Sequence, residues 1–202
     1  MEKERKIGVG PHPLPWPTES FFDQELLENG DKRNVLDHYR YWKNDAIKAD
    51  LDTKNHPLHI AIENWQHDFN IGTIVRSANA FNVEAIHIIG KRKWNRRGAM
   101  VTDKYVNIIH HNSISDFVES VPDRRLIAVD ITSGATPLSK ALLPEKAVLI
   151  FGGEGPGLSE ELLEEVDDLV FIEQFGSTRS INVGVAAGIV MHKWVEQHVL
   201  KK

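Results

Sequence analysis

The chain has 202 residues, a formal net charge of −5 and 41% apolar residues. That length allows one domain with a sizeable core plus a small appendage, and that apolar fraction excludes a disordered chain. The absence of cysteine excludes disulfides, thiolate catalysis and cysteine-ligated zinc, and the ten histidines fall in no metal-binding spacing, so no metal is expected.

The first residues, "MEKERKIGVGPHPLPWP", lack the apolar centre of a secretory signal. No stretch approaches the ~18 consecutive apolar residues of a membrane span. A cytoplasmic protein with no membrane partner is expected. The alternate prolines of "PHPLPWP" forbid a regular helix and favour an extended arm. Two short helices are predicted next, one in "TESFFDQELLENG" with Gly30 as its stop, and one in "KRNVLDHYRYWKNDAIKADL". In the second, Val35, Leu36, Tyr39 and Trp42 fall near helical spacing. Residues 1–55 are read as an N-terminal arm and helical appendage, and 56–202 as the main domain.

From residue 56 the pattern alternates. "LHIAIEN" (58–64) is a predicted strand, and "NIGTIVRSANAFN" (70–82) a helix with Ile71, Ile74, Val75, Ala78 and Phe81 on one stripe and Asn70 as N-cap. "VEAIHIIG", "YVNIIHH", "RLIAVDI", "KAVLIF" and "LVFIEQ" follow as strands, with a helix around "SISDFVESV" and a closing helix in "INVGVAAGIVMHKWVEQHVL". This alternation predicts an α/β fold, a mostly parallel sheet with helices on both faces and a short N-terminal extension.

Three features carry chemistry. "KRKWNRR" gathers Lys91, Arg92, Lys93, Arg96 and Arg97 around Trp94, either a solvated loop or a nucleic-acid contact with a stacking aromatic, although the net charge argues weakly against such a partner. "LIFGGEGPGLSEE" (149–161) runs from a strand through four glycines into a helix, the outline of a phosphate loop. Its glycines do not follow G-x-G-x-x-G, and Glu154, Glu160 and Glu161 would repel an anion at that helix start. A cation or a neutral hydrogen-bonding group suits it better, a tight turn with an exposed glutamate being the alternative. "FIEQFGSTRSINVGVAAG" (171–188) leads through Ser180, Ile181 and Asn182 into a helix kept thin by Gly184, Ala186, Ala187 and Gly188.

Together and in this order, these stretches resemble the SpoU-type RNA ribose 2′-O-methyltransferases of the SPOUT superfamily, over residues 58–198. The first family motif, N-x5-R in an apolar helix, is matched by Asn70 and Arg76. The second, G-x-E-x-x-G-L, is matched by Gly152, Glu154, Gly157 and Leu158. The third, I-P-M followed by S-L-N and a small-residue helix, is matched by Ile172, Ser180, Asn182 and Ala186. Glu173-Gln174 stand where that motif has Pro-Met, and Ile181 replaces its leucine.

The resemblance implies S-adenosylmethionine as cofactor, held by backbone near Val129, Gly152, Gly157, Ile172, Ser180 and Ile181. It implies Asn70, Arg76, Glu154 and Asn182 as the catalytic group, with tRNA or rRNA as substrate and a ribose 2′-hydroxyl as acceptor. It also implies a C-terminal trefoil knot and a homodimer, with the small-faced last helix as a candidate surface. Within this family the arginine matched by Arg76 is often assigned the removal of the hydroxyl proton, a task at odds with a guanidinium that stays protonated. Two other classes stay open: a catalytically silent RNA-binding module of the same fold, and a nucleotide-dependent oxidoreductase.

Overall fold

Strands buried on both faces read as continuous apolar runs, because neither side of the pleat meets water. That is the pattern from Ala147 to Phe151, where every residue is buried. The computed structural model describes residues 8–64, 70–91, 93–153 and 157–201. The chain divides into two units, Met1–Lys54 and Asn55–Lys202.

The first unit holds α1 (Gln24–Asn29) and α2 (Asn44–Asp52). Asp23 caps α1 by accepting the N–H groups of Glu25 and Leu26, and Gly30 ends it at a φ of +89°. The predicted second helix is shorter than its spacing implied. Val35, Leu36 and Trp42 lie outside helices, and Tyr39 closes a three-residue 3-10 turn, Asp37–Tyr39. The cause is Asp31, fully buried, whose carboxylate accepts the guanidinium of Arg33 and the backbone N–H groups of Arg33 and Tyr41. Burial alone would push this carboxyl up, but those hydrogen bonds outweigh it and hold it below the usual range. The backbone is folded around that anion, with Tyr41 left-handed at a φ of 65°, and cannot continue as a helix.

The second unit is a seven-stranded sheet, all parallel, in the order β3-β2-β1-β6-β4-β7-β5. In chain order it runs β1 (His56–Asn64), α3 (Ile71–Ala80), β2 (Val83–Gly90), β3 (Ile108–His111), α4 (Ile114–Glu119) and β4 (Arg125–Val129). It continues with β5 (Thr136–Pro137), β6 (Ala147–Phe151), α5 (Glu160–Glu165), β7 (Asp168–Phe171) and α6 (Val183–Val195), which runs on as a π-helical turn, Glu196–Leu200. Side chains sort by the period of two. Leu58, Ile60 and Ile62 join α3 and α6 in one core, whereas Ala61, Val148 and Ile150 face α4 and α5 in another. The two-residue edge strand β5 had no signature in the sequence; it is too short to alternate and contains a proline, tolerated at an edge.

A polar line crosses the α4 face. His59 in β1, His87 in β2 and His111 in β3 are all buried and hydrogen-bond in series, at 2.9 and 2.8 Å. Glu84, paired with Arg124, takes the Nε2–H of His59 at 3.3 Å. His59 Nδ1 is thereby the acceptor from His87 Nε2–H, and His87 Nδ1 the acceptor from His111 Nε2–H, so one charge sets three tautomers. Burial pushes His59 down to about 4 and His87 to about 3, with His111 also lowered. No helix among the described residues is long and apolar enough to cross a membrane.

Candidate active site

The carboxyl ends of β4, β6 and β7 open onto a cavity of about 830 Å³. In a parallel sheet this is where loops diverge and leave a crevice. Val129, Gly152, Gly157, Ile172, Ser180 and Ile181, the six residues expected to hold a cofactor, all line it. Gly152 is fixed as glycine by close approach: a Cβ there would lie 2.3 Å from the carbonyl carbon of Gly157. Gly157 has a φ of +72°, and a Cβ on it would meet Asp130 Oδ2 at 3.0 Å. Glu154 lies outside the described residues.

Asn182 also lines the cavity and is the N-cap of α6, its Oδ1 accepting the N–H groups of Gly184 and Val185. Its Nδ2 donates to Asn70 Oδ1 at 2.9 Å, so the first and third motifs meet across 112 positions of chain. Asn70 sits at the start of α3, but the expected side-chain cap is not made. Arg76 is exposed on α3 and forms no ion pair among the described residues. The small face of α6 is used within the chain: a Cβ on Gly184 would lie 3.0 Å from Thr73 Cγ2, and Gly188 faces Ser77.

At the far end of the glycine loop, Ser159 caps α5 by accepting the Leu162 N–H at 3.2 Å. Buried Glu63 in turn accepts the Ser159 N–H and hydroxyl, at 2.8 and 2.6 Å. Protein oxygens thus occupy groups that a pyrophosphate would need, which adds to the electrostatic argument against a dinucleotide.

The basic loop contains one correction. Lys91, Lys93, Arg96 and Arg97 are exposed, and Arg92 lies outside the described residues. Trp94, expected to offer a stacking face, is only 7% exposed and belongs to the core beneath α3. Its indole supplies the apolar area that anchors the loop, with the Arg96 guanidinium 5.6 Å from the ring centroid. Asn64, fully buried, ties this loop down by donating to the carbonyls of Lys91 and Lys93, at 2.6 and 3.2 Å.

Sequence reasoning missed three residues of the site and named a fourth, Gln174, only as a departure from the third motif. Asp130, Gln174 and Arg179 line the cavity, and Glu63 braces the glycine loop. The one available signal was Glu63 itself, a charge inside the apolar run "HIAIEN"; the others sit in loops that carry no period. Asp130 and Arg179 give the cavity one carboxylate and one guanidinium, beside walls formed by Val129, Phe151 and Phe171.

The family model described as the SpoU rRNA Methylase family matches residues 57–192. A 23S rRNA (guanosine-2′-O-)-methyltransferase RlmB of Neisseria meningitidis serogroup B is 29% identical over 153 residues, 72% of this chain and 60% of that protein. The RlmB of Haemophilus ducreyi is 28% identical over 155 residues, 73% of this chain and 63% of that one. The chain therefore spans about six tenths of the length of these curated relatives. A structure described as giving insights into the 2-OH methylation of C/U34 on tRNA superposes with a TM-score of 0.64 at 28% identity, covering 70% of this chain and 96% of its own. The A. aeolicus TrmH/SpoU tRNA modifying enzyme shares the fold, with a TM-score of 0.69 at 22% identity over 78% of this chain and 83% of its own. The chain belongs to the SpoU rRNA methylase family.

Proposed function

We propose that this chain is an S-adenosylmethionine-dependent methyltransferase that modifies a ribose 2′-hydroxyl of tRNA or rRNA in the cytoplasm. The observation that carries this reading is the convergence of the second and third family motifs on one cavity, joined through Asn182 to the helix bearing Arg76. The residues fit the cofactor. Bare backbone at Gly152 and Gly157 admits a flat ring system closely, apolar walls suit a nucleoside, and Asp130 with Arg179 matches a ligand carrying both an ammonium and a carboxylate.

When bound, the cofactor supplies an activated methyl group. The protein's own part is alignment and charge. The cavity residues would hold the donor in a fixed orientation, which would favour in-line approach of the acceptor oxygen. Arg76 grips the phosphate beside the target ribose and stabilises the charge developing on the oxygen; the hydroxyl proton leaves to that phosphate or to water. Asn182 and Asn70 fix the distance between slot and arginine, and Glu154 completes the group. The exposed lysines and arginines of the 91–97 loop draw in RNA through its backbone. Threading of the 150–158 and 171–182 segments as a trefoil knot belongs to the same reading. So does a homodimer, for which exposed Val185 and Ile189 on α6 offer the apolar surface, since the small face is already packed on α3.

The test is transfer of labelled methyl from S-adenosylmethionine to unmodified tRNA and, separately, rRNA, followed by alkaline hydrolysis. Label in alkali-resistant dinucleotides is the expected product, and label in mononucleotides would mean base methylation. Arg76→Ala lowers the rate by a factor on the order of 10² or more with cofactor affinity unchanged. Near-normal turnover of Arg76→Lys, with a shifted pH profile, would overturn planar phosphate gripping.

A further inference from the structure

One of the two departures from the third motif, Glu173-Gln174 in place of Pro-Met, has a physical account. Ile172 and Gln174 both line the cavity, while Glu173 between them turns onto Ser139. One carboxylate oxygen of Glu173 accepts the Ser139 hydroxyl and the other its backbone N–H at 3.4 Å. The hydroxyl bond is the first of the contacts that hold this carboxyl below its ordinary range. The segment it grips is fixed: Leu138 N–H donates to Phe171 at 2.8 Å, and Gln197 takes the Leu143 N–H at 3.0 Å and donates to Ala141 at 2.8 Å. The carbonyl of Pro144 accepts the Trp194 indole N–H at 2.9 Å. Glu173 is thus clamped to a rigid rail rather than to a mobile loop.

Gln174 faces the other way. Its Oε1 accepts the Thr178 hydroxyl at 3.5 Å, and its amide nitrogen has no partner among the described residues. Gln174 is half-buried, so that amide is open to water or to a ligand in the cavity, and it must be held still to bind a ligand without a large loss of rotamer freedom. Resting on the methyltransferase reading, we propose that the Gln174 amide hydrogen-bonds S-adenosylmethionine and that the Glu173–Ser139 clamp positions it. Where the family pattern has Pro-Met, this chain uses a side-chain clamp and a polar contact.

The experiment is calorimetric titration of the full chain with S-adenosylmethionine, without RNA, so that the chemical step plays no part. Gln174→Met weakens binding by about fivefold to tenfold, the loss of one hydrogen bond. Glu173→Ala weakens it by about threefold to fivefold in the natural chain but by less than twofold in the Gln174→Met background, because the clamp acts through the amide. Ser139→Ala reproduces the effect of Glu173→Ala, and Glu173→Gln, which keeps one acceptor, recovers part of it. The same factor for Glu173→Ala in both backgrounds would overturn the proposal, as would unchanged affinity in Gln174→Met. Absence of binding by the natural chain is a different result, which removes the cofactor reading itself.

Discussion

A Cβ on Gly152 has nowhere to go. At 2.3 Å from the Gly157 carbonyl carbon and 2.4 Å from its oxygen, it strikes backbone, which yields far less than the end of a side chain. Gly152→Ala is expected to cost about 1–3 kcal/mol of stability and to abolish tight cofactor binding. Denaturation curves and a cofactor titration check this, and wild-type affinity would contradict the close approach. Trp94 gives a second test at this scale. Buried in the core beneath α3, it contributes packing: Trp94→Ala is expected to destabilise by about 3–5 kcal/mol in chemical denaturation. Neutralising Lys91, Lys93, Arg96 and Arg97 leaves stability nearly unchanged and flattens the salt dependence of RNA binding.

At the scale of elements, the histidine line across β1, β2 and β3 couples the sheet to pH. Its three imidazoles are neutral in the fold, with His59 pushed down to about 4 and His87 to about 3 against an ordinary 6.5, and His111 also lowered. Between those values and 6.5 the unfolded chain binds more protons than the folded one. Stability is therefore full above pH 6.5 and falls as pH drops, by about 2 kcal/mol per deeply shifted histidine at pH 5. Urea denaturation across pH 7.5 to 5 checks the slope, and imidazole NMR should show Nε2–H tautomers throughout; a flat profile would mean that the histidines already charge in the fold.

The elements also show what the sequence made legible. The strands β4 and β6 were readable as short apolar runs, and β1 and β2 as longer runs in which apolar residues outnumber His59, Glu63, Glu84 and His87. "YVNIIHH" was read too long: Tyr105 and Val106 are buried, but in a turn that precedes β3. Around Asp31 the apolar spacing pointed to a helix, and a buried anion decided otherwise. Ser180, Ile181 and Asn182 were found because they stand in a recognisable order. Asp130 and Arg179 stand in no motif and meet only after folding.

For the whole molecule, the division at Lys54 has a direct consequence. Both hydrophobic clusters draw on residues from Leu58 onward, and the cavity is lined from Val129 onward. In the first unit only Leu27, Tyr39, Ile47 and Asp31 are buried among the described residues. A chain starting at Asn55 should fold and bind cofactor with affinity close to that of the full chain, whereas residues 1–54 alone should not give a cooperative transition. Circular dichroism melts and cofactor titrations of the two pieces check this; loss of cofactor binding by the shorter chain would show that the second unit does not stand alone.

Glu63 and Asn64 end β1 side by side, and the pleat sends them to opposite faces, one to Ser159 ahead of α5 and the other to the carbonyls of Lys91 and Lys93. The strand acts as an index. Slipping it by a single residue would move one anchor into the other's place and a different neighbour into the place left behind, so that neither loop would keep its partner. Loops on either side can lengthen or change composition without disturbing one another, but the count of residues in β1 cannot change. The distance between the cavity and the basic surface is thus kept by the register of one strand, not by either of the loops that use it.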